Sequence, residues 1–224
     1  MSKIKLLAFL CCFTSFVAFS QSSVKYEGQE INRIDKDGKK TGIWKLFDKA
    51  RDITIVGKMK DDVFVSNIDY YQKGKLMVTQ DKDNNDAYIF YIDSKPVSVK
   101  DVRENDKVSM VKDNGEELDK GTRDSFFNIM MVEAMFYGET GALPNFLNNE
   151  LNKKEWDHSG KVKIVWMIDK NGSVKDAKVM KTDDPVLNED AIRIIESMPR
   201  WQPSFSKGKF YQTRLNTIIS FNDM

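Results

Sequence analysis

The 224-residue sequence predicts an α+β protein. It has an N-terminal antiparallel β-meander of hairpin repeats and a linking helix. A C-terminal unit follows, with a three-stranded antiparallel sheet packed on helices. Three observations carry this reading. Aromatic and β-branched runs bounded by Gly, Asn and Asp recur through the first half. A largely apolar run covers residues 126–137, inside a helix expected over 122–138. Residues 161–221 switch from period two to a helical period and back to period two. Hydrophobic residues make up 41%, enough for a core and too many for global disorder. Lys plus Arg number 35 against 34 acids, so the overall charge gives no footprint for nucleic acid or an anionic membrane.

The chain opens MSKIKLLAFLCCFTSFVAFSQSS. Lys3 and Lys5 form a positive start, residues 6–19 are mostly apolar, and Ala18 and Ser20 are small residues at the −3 and −1 positions of a cut before Gln21. The pattern predicts a signal peptide at residues 1–20 and a periplasmic location. The rival is an uncleaved anchor, but spanning takes about 20 apolar residues and this run is shorter. Cys11 and Cys12 raise a lipoprotein signal, yet both come early and lack the small residue expected before them. Cleavage removes two lysines and both cysteines. The mature chain then carries 33 basic residues against 34 acids, with no thiol for a disulfide, a metal or a nucleophile.

Residues 21–120 form the hairpin region. Its runs cover residues 41–47, 67–76, 87–97 and 108–115. The matching positions Phe47, Tyr71, Tyr91 and Val111 are 24, 20 and 20 apart, which argues for hairpins that each cover a neighbour's apolar face. The opening DKDGKKTGIW, residues 35–44, resembles the MORN-like β-hairpin repeats; an ordinary meander fits as well, and either implies a scaffold. The cluster at residues 81–86 has the 1, 3, 5 spacing of a calcium loop. It places Asp86 where the loop needs Gly and Ile92 where it needs Glu, so it reads as a solvated turn. Asp61 and Asp62 read as another turn.

Residues 121–141 hold the linking helix, expected over 122–138. Asp124 or Ser125 caps it and Gly138 ends it. Phe126, Phe127, Met130, Met131, Ala134, Met135 and Tyr137 leave almost no polar face, so it is expected to be buried between the halves.

The C-terminal unit spans residues 142–224. Residues 142–151 fit a short helix with Leu143, Phe146, Leu147 and Leu151 on one face. In the first strand Val162, Ile164, Trp166 and Ile168 point one way. Asp169-Lys170-Asn171-Gly172 is a hairpin turn, and residues 174–181 return as the second strand. Asp184 and Pro185 start a helix striped by Leu187, Ala191, Ile194, Ile195 and Met198, and Pro199 stops it. Residues 211–221 form the third strand, with Tyr211, Thr213, Leu215, Thr217, Ile219 and Phe221 on one face.

Four ordered elements therefore recur: a V-x-I-x-W-x-I-D-K-N-G-x-V hairpin, a D-P-x-L-x-x-x-A-I-x-x-I helix, an M-P-R-W-Q-P link and a closing strand. Together they resemble the TonB C-terminal domain family. The resemblance implies a periplasmic domain that binds a protein partner, such as a TonB-dependent outer-membrane transporter, by adding an extended segment of it to a sheet edge. It maps that edge to Tyr211, Gln212, Thr213, Arg214, Leu215, Asn216, Thr217, Ile218 and Ile219. Met198, Trp201 and Pro203 are read as core packing and chain direction. Energy transducers of the family carry an uncleaved anchor and a proline-rich spacer. This chain has five prolines and a β-region instead, so the binding fold carries over and the motor coupling does not. Residues 152–161 also depart from the family's usual approach to the first strand. Two alternatives stay open: a transducer anchored by residues 6–19, and a structural protein that self-pairs as a homodimer through the same edge. An enzyme is not expected. His158 is the single histidine and sits in a polar loop. There is no Gly-rich phosphate loop, nucleophile elbow or metal-spaced ligand set, and no cofactor is implied.

Overall fold

The computed structural model describes residues 21–26, 28–83, 87–104 and 107–222, with backbone alone for the described residues in 101–108. The expected signal peptide, residues 1–20, lies outside the described residues, as do Asn84, Asn85 and Asp86 of the acidic cluster.

The first half is one long antiparallel sheet. Its strands are β1 (Ser22–Tyr26), β2 (Gln29–Ile34), β3 (Lys40–Asp48), β4 (Ile53–Lys60), β5 (Val63–Phe64), β6 (Ile68–Gln72), β7 (Lys75–Gln80), β8 (Ala87–Ile92), β9 (Lys95–Glu104) and β10 (Lys107–Lys112). They lie in chain order, except that β5 pairs only with β4 and β6 follows β4 directly. The repeat seen in the sequence has a structural counterpart. Phe47, Tyr71, Tyr91 and Val111 are each the penultimate residue of β3, β6, β8 and β10. The residue before each of them, Leu46, Tyr70, Phe90 and Met110, is fully buried. Trp44, Ile53, Ile55, Ile68, Val78 and Val99 complete that inner face.

Helix α1 (Lys120–Ile129) covers part of this face, with Phe126 stacked on Phe90 at 4.2 Å. It corrects the expected helix at both ends. Asp119 is the cap, accepting a hydrogen bond from the Thr122 N–H at 2.9 Å, and not Asp124 or Ser125. The helix ends at Ile129, and Met131–Val132 form β11, paired with β14 (Ser204–Ser206). Residues 131–137 run as extended chain with Val132 buried and residues 134–137 half-buried, a state that apolarity without a period does not separate from a buried helix. Hydrogen bonds from Thr122 hold the Asp119 carboxyl below its ordinary pKa. A lowered acid stabilises the fold above the pKa of the unfolded carboxyl, and that stabilisation fades as pH falls through the lowered folded value. Asp119→Ala is therefore expected to unfold at lower urea than wild type at neutral pH, with the gap closing on acidification. A gap independent of pH would exclude the carboxylate as its source.

The second half contains α2 (Ala142–Leu151), β12 (Gly160–Ile168), β13 (Val174–Thr182), a 3-10 turn (Pro185–Leu187), α3 (Asn188–Glu196), β15 (Lys209–Tyr211) and β16 (Thr213–Phe221). β12 is the centre of a sheet ordered β13-β12-β16. Val162, Ile164, Trp166 and Ile168 are all buried, against the expected stripe of Leu187, Ala191, Ile194, Ile195 and Met198.

The link at residues 198–203 does more than was expected of it. Met198 and Trp201 do pack into the C-terminal core. Arg200 and Gln202 point to the meander instead. Arg200 donates to the Asn32 carbonyl and, at 3.2 Å, to Ser22 Oγ. Beyond the link, the β14–β15 hairpin plugs the meander core. Phe205 is fully buried 5.9 Å from Phe64, and Phe210 meets Trp44 edge-on at 5.2 Å.

Candidate functional site

The two outer strands of the C-terminal sheet differ. β13 pairs with β12 through two register shifts, and Asp176 there has φ of 53°. Such bulges twist and blunt an edge. β16 pairs with β12 in unbroken register from Ile168↔Thr213 to Gly160↔Phe221, and among the described residues no strand pairs with its other side.

The direction of its free groups follows from one pair of bonds. Lys161 N–H donates to Asp183 Oδ2 at 3.0 Å, and the Lys161 carbonyl accepts from Asp183 N–H at 3.0 Å. Both backbone groups of Lys161 thus face the β13 side. Directions alternate along an antiparallel strand, so Val162, Ile164, Trp166 and Ile168 bond to Ile219, Thr217, Leu215 and Thr213. Arg214, Asn216, Ile218 and Ser220 are left with N–H and C=O aimed outward. Their side chains are exposed, whereas Ile219 and Phe221 are buried.

Beside this edge runs a groove of about 560 Å³. Pro144, Leu147 and Leu151 of α2 and Trp156 form one side, and residues 217–220 of β16 form the other. The wall is held in place. Trp156 Nε1 donates to the Leu151 carbonyl at 2.7 Å, and its ring meets Phe221 edge-on at 4.6 Å. Lys154 lies 4.1 Å over Trp156 and 3.1 Å from Asp190. Burial raises the Asp190 carboxyl, but hydrogen bonds from Arg193 and Lys154 outweigh it and leave the pKa below its ordinary value.

Residues 153–222 match the family model of the Gram-negative bacterial TonB protein C-terminal. The match takes in β12, β13, α3, the β14–β15 hairpin and β16, and leaves the meander outside it. No curated protein and no solved structure matches the chain. TonB C-terminal domains are envelope domains tied to transport that interact with proteins such as outer-membrane transporters. Among the described residues no helix is long and apolar enough to cross a membrane.

Of the nine edge residues assigned from the sequence, seven lie on β16: Thr213, Arg214, Leu215, Asn216, Thr217, Ile218 and Ile219. Tyr211 and Gln212 do not. Tyr211 ends β15 and pairs with Ser204, and Gln212 is the break between β15 and β16. The physical reason is Phe210: its ring is taken by Trp44, Phe64 and Phe205, which commits residues 209–211 to the plug. Tyr211 and Gln212 line a separate cleft of about 650 Å³ between the domain and the meander. Its floor holds buried Lys40, which donates to Asn171 Oδ1 and, at 3.4 Å, to Asp62, with Phe210 at 4.9 Å. Burial lowers the Lys40 pKa, and Asp62 opposes it.

His158 pairs with Asp184 at 2.7 Å. Asp184 also accepts from Val186 N–H and caps the 3-10 turn, so the pair ties the loop before β12 to that turn. Sequence reading missed three residues that position the site. Asn32 exchanges two 2.7 Å hydrogen bonds with the backbone of Lys45. Gln202 does the same at Phe47, accepting at 2.7 Å and donating at 2.8 Å. Together the two carboxamides extend the β3 edge where β2 has stopped pairing. Arg200 is the third. Asn and Gln are common in loops, and nothing in their spacing marks these two.

Proposed function

We propose that this is an exported envelope protein whose TonB C-terminal domain captures an extended segment of a TonB-dependent outer-membrane transporter, adding it as a fourth strand beside β16. The observation that carries the reading is the contrast between the edges. β13 is bulged and rich in lysine, and β16 is regular, open and flanked by an apolar groove. Magnitudes say why both features of β16 are needed. Each backbone bond contributes roughly 0.5–1.5 kcal/mol net, while association costs about 4–15 kcal/mol. Pairing to Arg214, Asn216, Ile218 and Ser220 roughly offsets that cost, and apolar side chains seated against Leu147, Leu151 and Trp156 supply the surplus.

Proline scanning tests it. Asn216→Pro removes an N–H that points outward, so the fold is expected to survive while capture of a transporter segment is lost. Thr217→Pro removes an N–H bonded to Ile164 and is expected to unfold the domain. A photo-crosslinker at Asn216 or Ile218 should trap the segment. Crosslinks confined to the meander, or undiminished capture by Asn216→Pro, would remove β16 from the mechanism. Loss of a wild-type dimer in Asn216→Pro, seen by light scattering, would instead show that the edge holds a second copy.

A further inference from the structure

The balanced charge of the chain hides a strong local field. Strands β12, β13 and β16 together carry Lys161, Lys163, Lys175, Lys178, Lys181 and Arg214 against one acid, Asp176. All six cations are exposed, and none forms an ion pair with another described residue. The alternation that buries Val162, Ile164, Trp166 and Ile168 sends Lys161 and Lys163 to the opposite, solvent-facing side. Register then puts Lys178 opposite Val165, Lys175 opposite Met167, and Lys163 directly opposite Lys181. Like charges facing each other across a ladder are destabilising, and neither lysine has an ion-pair partner among the described residues.

We propose that this face of the C-terminal sheet docks on an anionic lipid surface. Three features favour a phosphate-bearing membrane over an acidic protein segment. The cations spread over all three strands, and neither the groove beside β16 nor the cleft at Lys40 is lined by any of them. The charge is centred on β12 and β13, away from the β16 edge, so it is not placed for an added strand. Two large apolar side chains, Met180 at 58% and Ile218 at 56% exposure, lie on the exposed side of β13 and β16, suited to entering a headgroup layer. Juxtamembrane lysines act additively on such a surface and fade with salt. Docked this way, the sheet lies flat and the β16 edge runs parallel to the membrane. The proposal does not depend on strand addition.

Vesicle co-sedimentation tests it with residues 21–224, which hold every described residue. Wild type is expected to bind phosphatidylcholine vesicles containing phosphatidylglycerol at low salt, to release at high salt, and to leave pure phosphatidylcholine vesicles unbound. Lys163→Gln/Lys178→Gln/Lys181→Gln is expected to bind about tenfold more weakly or worse. Lys75→Gln/Lys95→Gln/Lys100→Gln makes the same charge change on the meander and is expected to bind as wild type. The sheet variant relieves an opposed like-charge pair, so its thermal midpoint should not fall; Lys161→Gln/Lys175→Gln serves as a second variant. Equal loss in the sheet and meander variants overturns the proposal, as does equal binding to both vesicle types. So does binding of polyglutamate or duplex DNA without vesicle binding. Displacement by inorganic phosphate, but not by chloride of equal ionic strength, would replace the lipid surface with a soluble phosphate ligand.

Discussion

Gly172→Ala is expected to destabilise the protein by more than about 4 kcal/mol, the range reserved for changes with no room to relax. A Cβ there would sit 2.0 Å from the Trp201 carbonyl oxygen and 3.1 Å from Arg200 Cγ, at a φ of +85°. The contact cannot open, because the Trp201 N–H donates back to the Gly172 carbonyl at 2.8 Å. Trp201 is also held from every side: its ring meets Phe136 at 5.2 Å and Trp166 at 6.1 Å, while Arg200 and Gln202 on either side are bonded to the meander. Gly115 is the control. It has nearly the same φ, +83°, but open space around it, so Gly115→Ala should cost only the left-handed penalty of about 1–2 kcal/mol. Urea unfolding of both variants separates the two costs. Similar losses would mean that the approach of Trp201 to the turn is not what requires glycine.

That turn shows how far the sequence could be read. Asp-Lys-Asn-Gly between two alternating runs specifies a hairpin by local chemistry, and the hairpin is there. The same holds for the apolar sets of β12 and α3, whose periods of two and 3.6 each need one buried face. The hairpin spacing of 24, 20 and 20 was legible because each unit repeats the same inward residue one position earlier. Illegible features depend on partners distant in sequence. The end of α1 is set by pairing between Met131 and Ser206. The start of β16 is set by Phe210 leaving for the meander core. The requirement for Gly172 to be glycine, beyond its φ, comes from Trp201. The basic face was invisible in the net charge because acids on other elements balance it. Strand alternation recovers it once the pairing is known.

Gln202→Leu is the second large effect. Leucine nearly fills the same volume, so the change isolates the hydrogen bonds. It strands the Phe47 N–H, the Phe47 carbonyl and the Glu133 carbonyl, all bonded by the Gln202 side chain in a fully buried position. Each stranded buried group costs about 1–3 kcal/mol, and a total of about 3–5 kcal/mol is expected. The consequence reaches past stability. Gln202 also exchanges backbone bonds with Met135, so its side chain and main chain together join β3, the segment after β11 and the C-terminal sheet unit. The Phe205 and Phe210 plug, the Arg200, Lys40 and Asn171 contacts and the Asn32–Tyr137 hydrogen bond are among those that would then still resist separation of the halves. Gln202→Leu combined with Phe205→Ala is therefore expected to split one cooperative urea transition into two, followed by tryptophan fluorescence and far-ultraviolet dichroism. A single transition shifted by less than about 1 kcal/mol would mean the halves do not rely on this knot. If the transition does split, Gln202 and Phe205 are the contacts that make the meander and the C-terminal sheet unfold as one, through the chain of bonds from the turn at Gly172 to Trp201 and Gln202.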